Sequence, residues 1–96
     1  MFGMIRERAS DSVGDEQAQE FRRFRAKQPG YSGAIEVQTD DGRTMIIALW
    51  QTEEQQQAAT STLSAEAKRL NGPQWSGPPR VVSQGHVVYN DLAAKS

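Results

Sequence analysis

Thr44 to Trp50 reads T-M-I-I-A-L-W and is the only long apolar run in the chain. Turn residues precede it and a polar helix start follows it. It therefore reads as a central strand buried on both faces. Met45, Ile47 and Leu49 take one face; Ile46, Ala48 and Trp50 take the other. Helices of the same chain can cover one face. With 96 residues in all, little is left to cover the second. A chain of this length reads as one domain, 1–96, and buries only about 60–65% of its unfolded surface. The uncovered face predicts a homodimer.

The other elements fall around this strand. Phe2 to Arg8 reads as a first strand, with Phe2 and Met4 on one face. Asp11, Ser12 and Gly14 mark a loop, and Ser12 with Asp15 resembles a helix start. The helix runs from about Asp15 to Lys27, with Phe21 and Phe24 as its apolar pair. Arg22, Arg23, Arg25 and Lys27 crowd its C-terminal half, where cations complement the helix dipole and read as a solvated face rather than an anion site. Pro29-Gly30 ends it. Ala34 to Thr39 alternates in the period of a half-buried strand. Asp40-Asp41-Gly42-Arg43 predicts a hairpin, since Asp-Gly tolerates the positive φ of a tight turn.

After the central strand, Thr52 and Gln55 make a capping box with Glu53 and Glu54 in the first turn. Thr60-Ser61-Thr62 predicts a break into two helical pieces, the second from about Leu63 to Leu70. Leu63, Ala67 and Leu70 form its stripe, and Gly72 is the candidate left-handed C-cap. Gln74 to Pro79 is a Gly/Pro loop holding Trp75. Arg80 to Asn90 reads as the last strand, with Gly85 marking a bulge or close approach. The tail from Asp91 is expected to fray.

Charge and composition exclude several classes. The chain carries 11 basic and 12 acidic residues, net -1. The first fifty residues hold 7 basic and 8 acidic groups, and the remainder 4 and 4. Neither half has the basic excess of a nucleic-acid binder. There are no cysteines, hence no disulfide or thiolate chemistry. No apolar stretch approaches the roughly 20 residues needed to cross a bilayer. These features predict a soluble, cytoplasmic protein.

The order strand, helix, strand, strand, helices, strand is that of a ferredoxin-like α+β fold, an antiparallel sheet with helices on one face. Three stretches carry a more specific resemblance: Phe21-Arg22 through Gln28-Pro29-Gly30-Tyr31-Ser32-Gly33-Ala34, then Asp40-Asp41-Gly42-Arg43, then Leu49-Trp50-Gln51-Thr52-Glu53-Glu54. Together they resemble the antibiotic biosynthesis monooxygenase domain family over residues 15 to 70. The resemblance implies a dimeric α/β barrel in which two sheets face each other. It also implies a monooxygenase needing no metal or flavin, acting on an aromatic polyketide or quinol-type substrate. A branch of that superfamily degrades haem using an Asn, a Trp and a His. The corresponding positions here fall in Met1 to Arg8, near Ala59 and near Arg69, and none holds the required residue.

The candidate site residues follow. His86, the only histidine, is a candidate proton shuttle, although a lone histidine is more often an ordinary strand or surface residue. Tyr89 and Arg25 join it as candidates to stabilise a substrate anion. Phe21, Phe24, Tyr31, Trp50 and Trp75 are candidate walls of an aromatic-substrate pocket. The two phenylalanines and Trp50 read more readily as plain core. Trp75, in its Gly/Pro loop, reads as a lid, a dimer contact or an exposed anchor. No ligand spacing points to a metal, and no Gly-rich phosphate loop is present. The absence of an acid–base pair keeps a non-catalytic ligand-binding or structural dimer open as the alternative, alongside an isomerase- or cyclase-like role.

Overall fold

The central run forms β3 (Arg43–Trp50), and both of its neighbours pair with it antiparallel. They are β1 (Phe2–Ala9) and β2 (Tyr31–Gln38). β4 (Arg80–His86) adds to the free side of β1, giving the sheet order β2-β3-β1-β4. α1 (Asp15–Ala26) and α2 (Glu53–Asn71) complete the βαββαβ order of a ferredoxin-like α+β fold. The computed structural model describes residues 1–9, 15–75 and 77–91. The expected Ser12 helix start and the tail beyond Asp91 lie outside these residues.

Strand parity decides where the core sits. Phe2 and Met4 of β1 share a face with Ile46 and Trp50 of β3, and all four are buried. Ala59 of α2 closes this core, with Tyr31, Ala48 and Leu63 packed against it. Burying each large side chain contributes roughly 1.5–3 kcal/mol. The opposite face of the sheet carries Ile35 and Val37, both exposed, beside half-buried Met45 and Ile47. Leu49 is buried on that face, and Gly3 opposite it leaves room for Val87 to approach. A Cβ on Gly3 would lie 3.2 Å from Val87 and 3.7 Å from Leu49.

The connections follow local chemistry. α1 stops at Ala26, and Gly30 takes φ 84° to turn the chain into β2. The Gly30 carbonyl then accepts from the Gln51 N–H at 2.8 Å, locking this turn to the end of β3. The β2–β3 hairpin has a three-residue loop rather than a tight two-residue one. Thr39 N–H donates to Arg43 O and Gly42 N–H to Thr39 O, and only Gly42 needs positive φ. Thr52 Oγ1 accepts from the Gln55 N–H at 3.1 Å, the expected N-cap of α2.

Four expectations need correction. β2 starts at Tyr31, three residues before Ala34, because Tyr31 already pairs with Trp50. α2 does not break at Thr60-Ser61-Thr62: the Thr60 hydroxyl donates to the Gln56 carbonyl and accepts from Gln56 Nε2, so the helix continues to Asn71. Gly72 is the C-cap of α2, with positive φ and its N–H donating to the Lys68 carbonyl, but its ψ of -152° lies outside the left-handed region, and a 3₁₀ turn (Gly72–Gln74) follows. β4 ends at His86, and its irregularity lies at Val82, the residue skipped between the Ile5–Ser83 and Arg6–Val81 pairs. Gly85 sits in regular register opposite Gly3 with open space at its Cβ position.

Candidate functional site

A cleft opens between the helix-covered face of the sheet and the two helices, roofed by Trp75, Gly77, Pro78 and Pro79. It has an outer chamber of about 350 Å³ and an inner one of about 100 Å³. Phe21, Arg25, Ile46 and Trp75 line both chambers, so the two are continuous. The inner chamber ends on Met4, Trp50 and Leu63. The outer volume lies at the lower end of the roughly 300–1,000 Å³ typical of small-molecule sites.

Each wall is set by its element. Phe21 lies on the α1 stripe that faces the sheet. Trp50 ends β3 and is 2% exposed. Tyr31, opposite it on β2, meets its ring edge-to-face, with centroids 5.5 Å apart and planes at 80°. Tyr31 thus stands behind Trp50 and not in the chamber wall. Its other neighbour is Arg25, whose guanidinium lies 5.5 Å from the Tyr31 ring and 6.0 Å from that of Phe21.

Arg25 is 8% exposed, and its Nε has no hydrogen-bond partner among the described residues. Its Nη2 donates to Glu36 Oε2 at 3.2 Å. Glu36 is also gripped by Arg22, through Nε at 3.2 Å and Nη2 at 2.8 Å. The Arg22 hydrogen bonds, opposed by partial burial and aided by the charges of Arg22 and Arg25, hold the Glu36 carboxyl below the ordinary glutamate range. Glu36 is therefore a weak base, and its role is to orient the two arginines.

Arg6 lines the inner chamber, although it stood outside the residues singled out from the sequence. Its Nη1 donates to the Pro79 carbonyl at 2.8 Å, and burial pushes its guanidinium below its ordinary value. The signal was present in the sequence: Arg6 has the parity of Phe2 and Met4, so a regular strand turns all three to the same face. Glu7, of opposite parity, is paired by Arg43 and Arg80, which tie β3 and β4 to β1 at that end of the sheet. Its carboxyl is held below the ordinary range by the Arg43 hydrogen bond first and that of Arg80 second.

The remaining candidates lie elsewhere. His86 is exposed on the edge strand, opposite Phe2 in the ladder, and lines neither chamber. Tyr89 is 79% exposed beside a hollow on the opposite face of the sheet, next to Ile47 and Leu49. Phe24 is half-buried on α1 and lines neither chamber. Trp75, half-buried, is the exception: it forms part of the roof and lines both chambers. Among the described residues no three of His, Cys, Asp and Glu come together as a metal-holding group. No helix there is long and apolar enough to cross a membrane.

No family model matches the sequence, and no curated protein matches it. Among solved structures the chain is similar to a protein from Bordetella bronchiseptica that is provisionally named an antibiotic biosynthesis monooxygenase. The TM-score is 0.69 at 15% sequence identity, covering 92% of this chain and 97% of that one. The resemblance carried by the Pro29-Gly30-Tyr31 turn and the Trp50 strand end thus holds at the level of the fold.

Proposed function

We propose that this chain is a small homodimeric oxygenase of the antibiotic biosynthesis monooxygenase type, acting without cofactor on an aromatic polyketide or quinol-type molecule held in the cleft. One observation carries the reading. Three aromatic side chains, Phe21, Trp50 and Trp75, line a cleft that also contains a buried guanidinium, Arg25. Flat apolar walls suit a fused-ring ligand, and a cation in a dry site stabilises an oxyanion.

In this mechanism a phenol-type substrate loses a proton to water, aided by the positive charge of Arg25. The resulting anion is electron-rich enough to react with dioxygen at its ring carbon. For a ring CH₂ conjugated with the phenolate, one oxygen atom enters the substrate as a carbonyl. The other leaves as water with the two hydrogens, R₂CH₂ + O₂ → R₂C=O + H₂O. The carbon is oxidised, dioxygen is reduced, and no outside electrons are needed.

Glu36, tied down by Arg22, is a poor proton acceptor. That favours a second reading, a dimer that binds an aromatic ligand and does not turn it over. An oxygen electrode separates the two. Anthrone or 1,4-dihydroxynaphthalene in chelator-treated buffer should be consumed with oxygen faster than in buffer alone, and Arg25→Met should remove the excess rate. Binding without oxygen uptake would support the second reading, and neither binding nor uptake would overturn both.

The homodimer is supported by the uncovered sheet face, where Ile35 and Val37 stand 41% and 46% exposed next to Met45 and Ile47. Light scattering should give twice the 10.6 kDa chain mass. A stable monomer would overturn it.

A further inference from the structure

The chain as a whole carries net charge -1, yet the charged side chains around the cleft are five arginines (6, 8, 22, 25 and 80) and two glutamates (7 and 36). Among the described residues, arginines thus outnumber carboxylates around the cleft. Most of these arginines have carboxylate partners; two sites are short of them. Arg25 shares Glu36 with Arg22, and its Nε is buried without a partner among the described residues. Arg6 has no carboxylate among the described residues, and its hydrogen bond to the Pro79 carbonyl neutralises nothing. Both line the inner chamber, against Trp50.

A buried guanidinium that shares its one carboxylate, and a half-buried one that has none among the described residues, each leave charge that a bound anion would balance. A guanidinium is also a planar fork whose spacing matches the two oxygens of a carboxylate. Arg25 is held between Phe21 and Tyr31 by ring contacts, and Arg6 by the Pro79 carbonyl, so both donors are pre-positioned. We infer that Arg6 and Arg25 form an anion subsite at the inner end of the cleft, and that the ligand is a fused-ring aromatic acid whose carboxylate sits between them. The aromatic body lies against Phe21, Trp50 and Trp75, with the ring outside the subsite reaching the larger chamber. Arg6 is thereby a ligand-binding residue, and the acid group sets the orientation of the ring.

The inference rests on the reading of the cleft as an aromatic-ligand site and deepens it. Calorimetric titration with 2-naphthoate and with 2-naphthamide tests it, because the two differ in charge at nearly constant shape. Naphthoate should bind at least about tenfold more tightly, an advantage that shrinks with added salt. Arg6→Gln should bring the ratio close to one by weakening naphthoate far more than naphthamide, with circular dichroism verifying the fold. Arg25→Gln should do the same if it folds; Arg6 alone is enough for the test, since it is only half-buried and leaves no carboxylate unpaired. Equal affinity for the two ligands in the parent protein overturns the anion subsite while leaving the aromatic cleft standing. An unchanged ratio in Arg6→Gln overturns the part assigned to Arg6. No binding of either ligand overturns the cleft reading and the inference together.

Discussion

Replacing Trp50 with alanine should cost about 3–5 kcal/mol of stability, the range for a large aromatic core truncation. Trp50 is 2% exposed and lies in the helix-facing core with Phe2, Met4 and Ala59. A side chain of this type buries roughly 150–250 Å², which at about 25 cal/mol per Å² gives an upper bound of about 4–6 kcal/mol. The edge-to-face contact with Tyr31 accounts for about 0.5–1.5 kcal/mol of what is lost. Domains of this kind hold only about 5–15 kcal/mol in total, so the variant should sit near the edge of folding. Urea unfolding followed by far-ultraviolet circular dichroism, at fixed protein concentration, is the assay. With a slope of about 1–3 kcal/mol per molar, the midpoint should fall by roughly 1–5 M. Trp75→Ala is the control: half-buried in the roof, it should cost no more than about 1–2 kcal/mol while weakening ligand binding. A Trp50→Ala loss below about 1 kcal/mol would refute the view of Trp50 as the plug of this core.

Ile47→Asp tests the open face. Ile47 is half-buried and outside the helix-facing core, so the variant should stay folded by circular dichroism but run as a monomer by light scattering; a folded dimer would contradict the proposed interface. Glu36 ties acid stability to the cleft. Its folded carboxyl lies below its unfolded value, so its contribution is full above about pH 4.3 and is lost as pH falls through the folded value. Glu36→Gln should flatten the acid limb of a urea-midpoint profile, and an unchanged limb would show that the Arg22 pair contributes nothing. Gly30→Ala should cost about 1–3 kcal/mol from its positive φ. A Cβ there would also fall 2.8 Å from that of Gln55 and closer still to its amide. Adding Gln55→Ala removes the clash with the amide but leaves the Cβ contact, so it should recover only part of the loss, and full recovery in thermal melts would contradict the backbone argument.

The parts of the fold that were readable are those where one residue pattern has one physical solution. Alternating apolar residues on both faces of β3 leave no other place than the middle of a sheet, and Pro29-Gly30 cannot continue a helix. Where two solutions compete, sequence alone chose badly. Thr60 and Ser61 read as fresh caps, yet a threonine hydroxyl can equally bond the carbonyl one turn back, and in α2 it does. β4 was read four residues too long because Val87, Val88 and Tyr89 keep a strand's composition. Only Val87 of these donates a backbone bond across to the first strand's end, to the Met1 carbonyl. The cleft was half legible: the aromatic candidates Phe21, Trp50 and Trp75 and the cation Arg25 come together, while His86 and Tyr89 sit away from them. Arg6 was missed because counting charge along the chain says nothing of which face receives it. The near-neutral total concealed a cleft with an arginine excess.

The claim that this cleft is the ligand site is tested most directly by the two indole N–H signals of a ¹⁵N-labelled sample, one for each tryptophan in the chain. Titration with 2-naphthoate should move both, because Trp50 ends the inner chamber and Trp75 lines both chambers, while the backbone signals of His86 and Tyr89 stay in place. Still indole signals, with shifts confined to Tyr89 and the hollow beside Ile47 and Leu49, would place the site on the other face of the sheet and contradict the account.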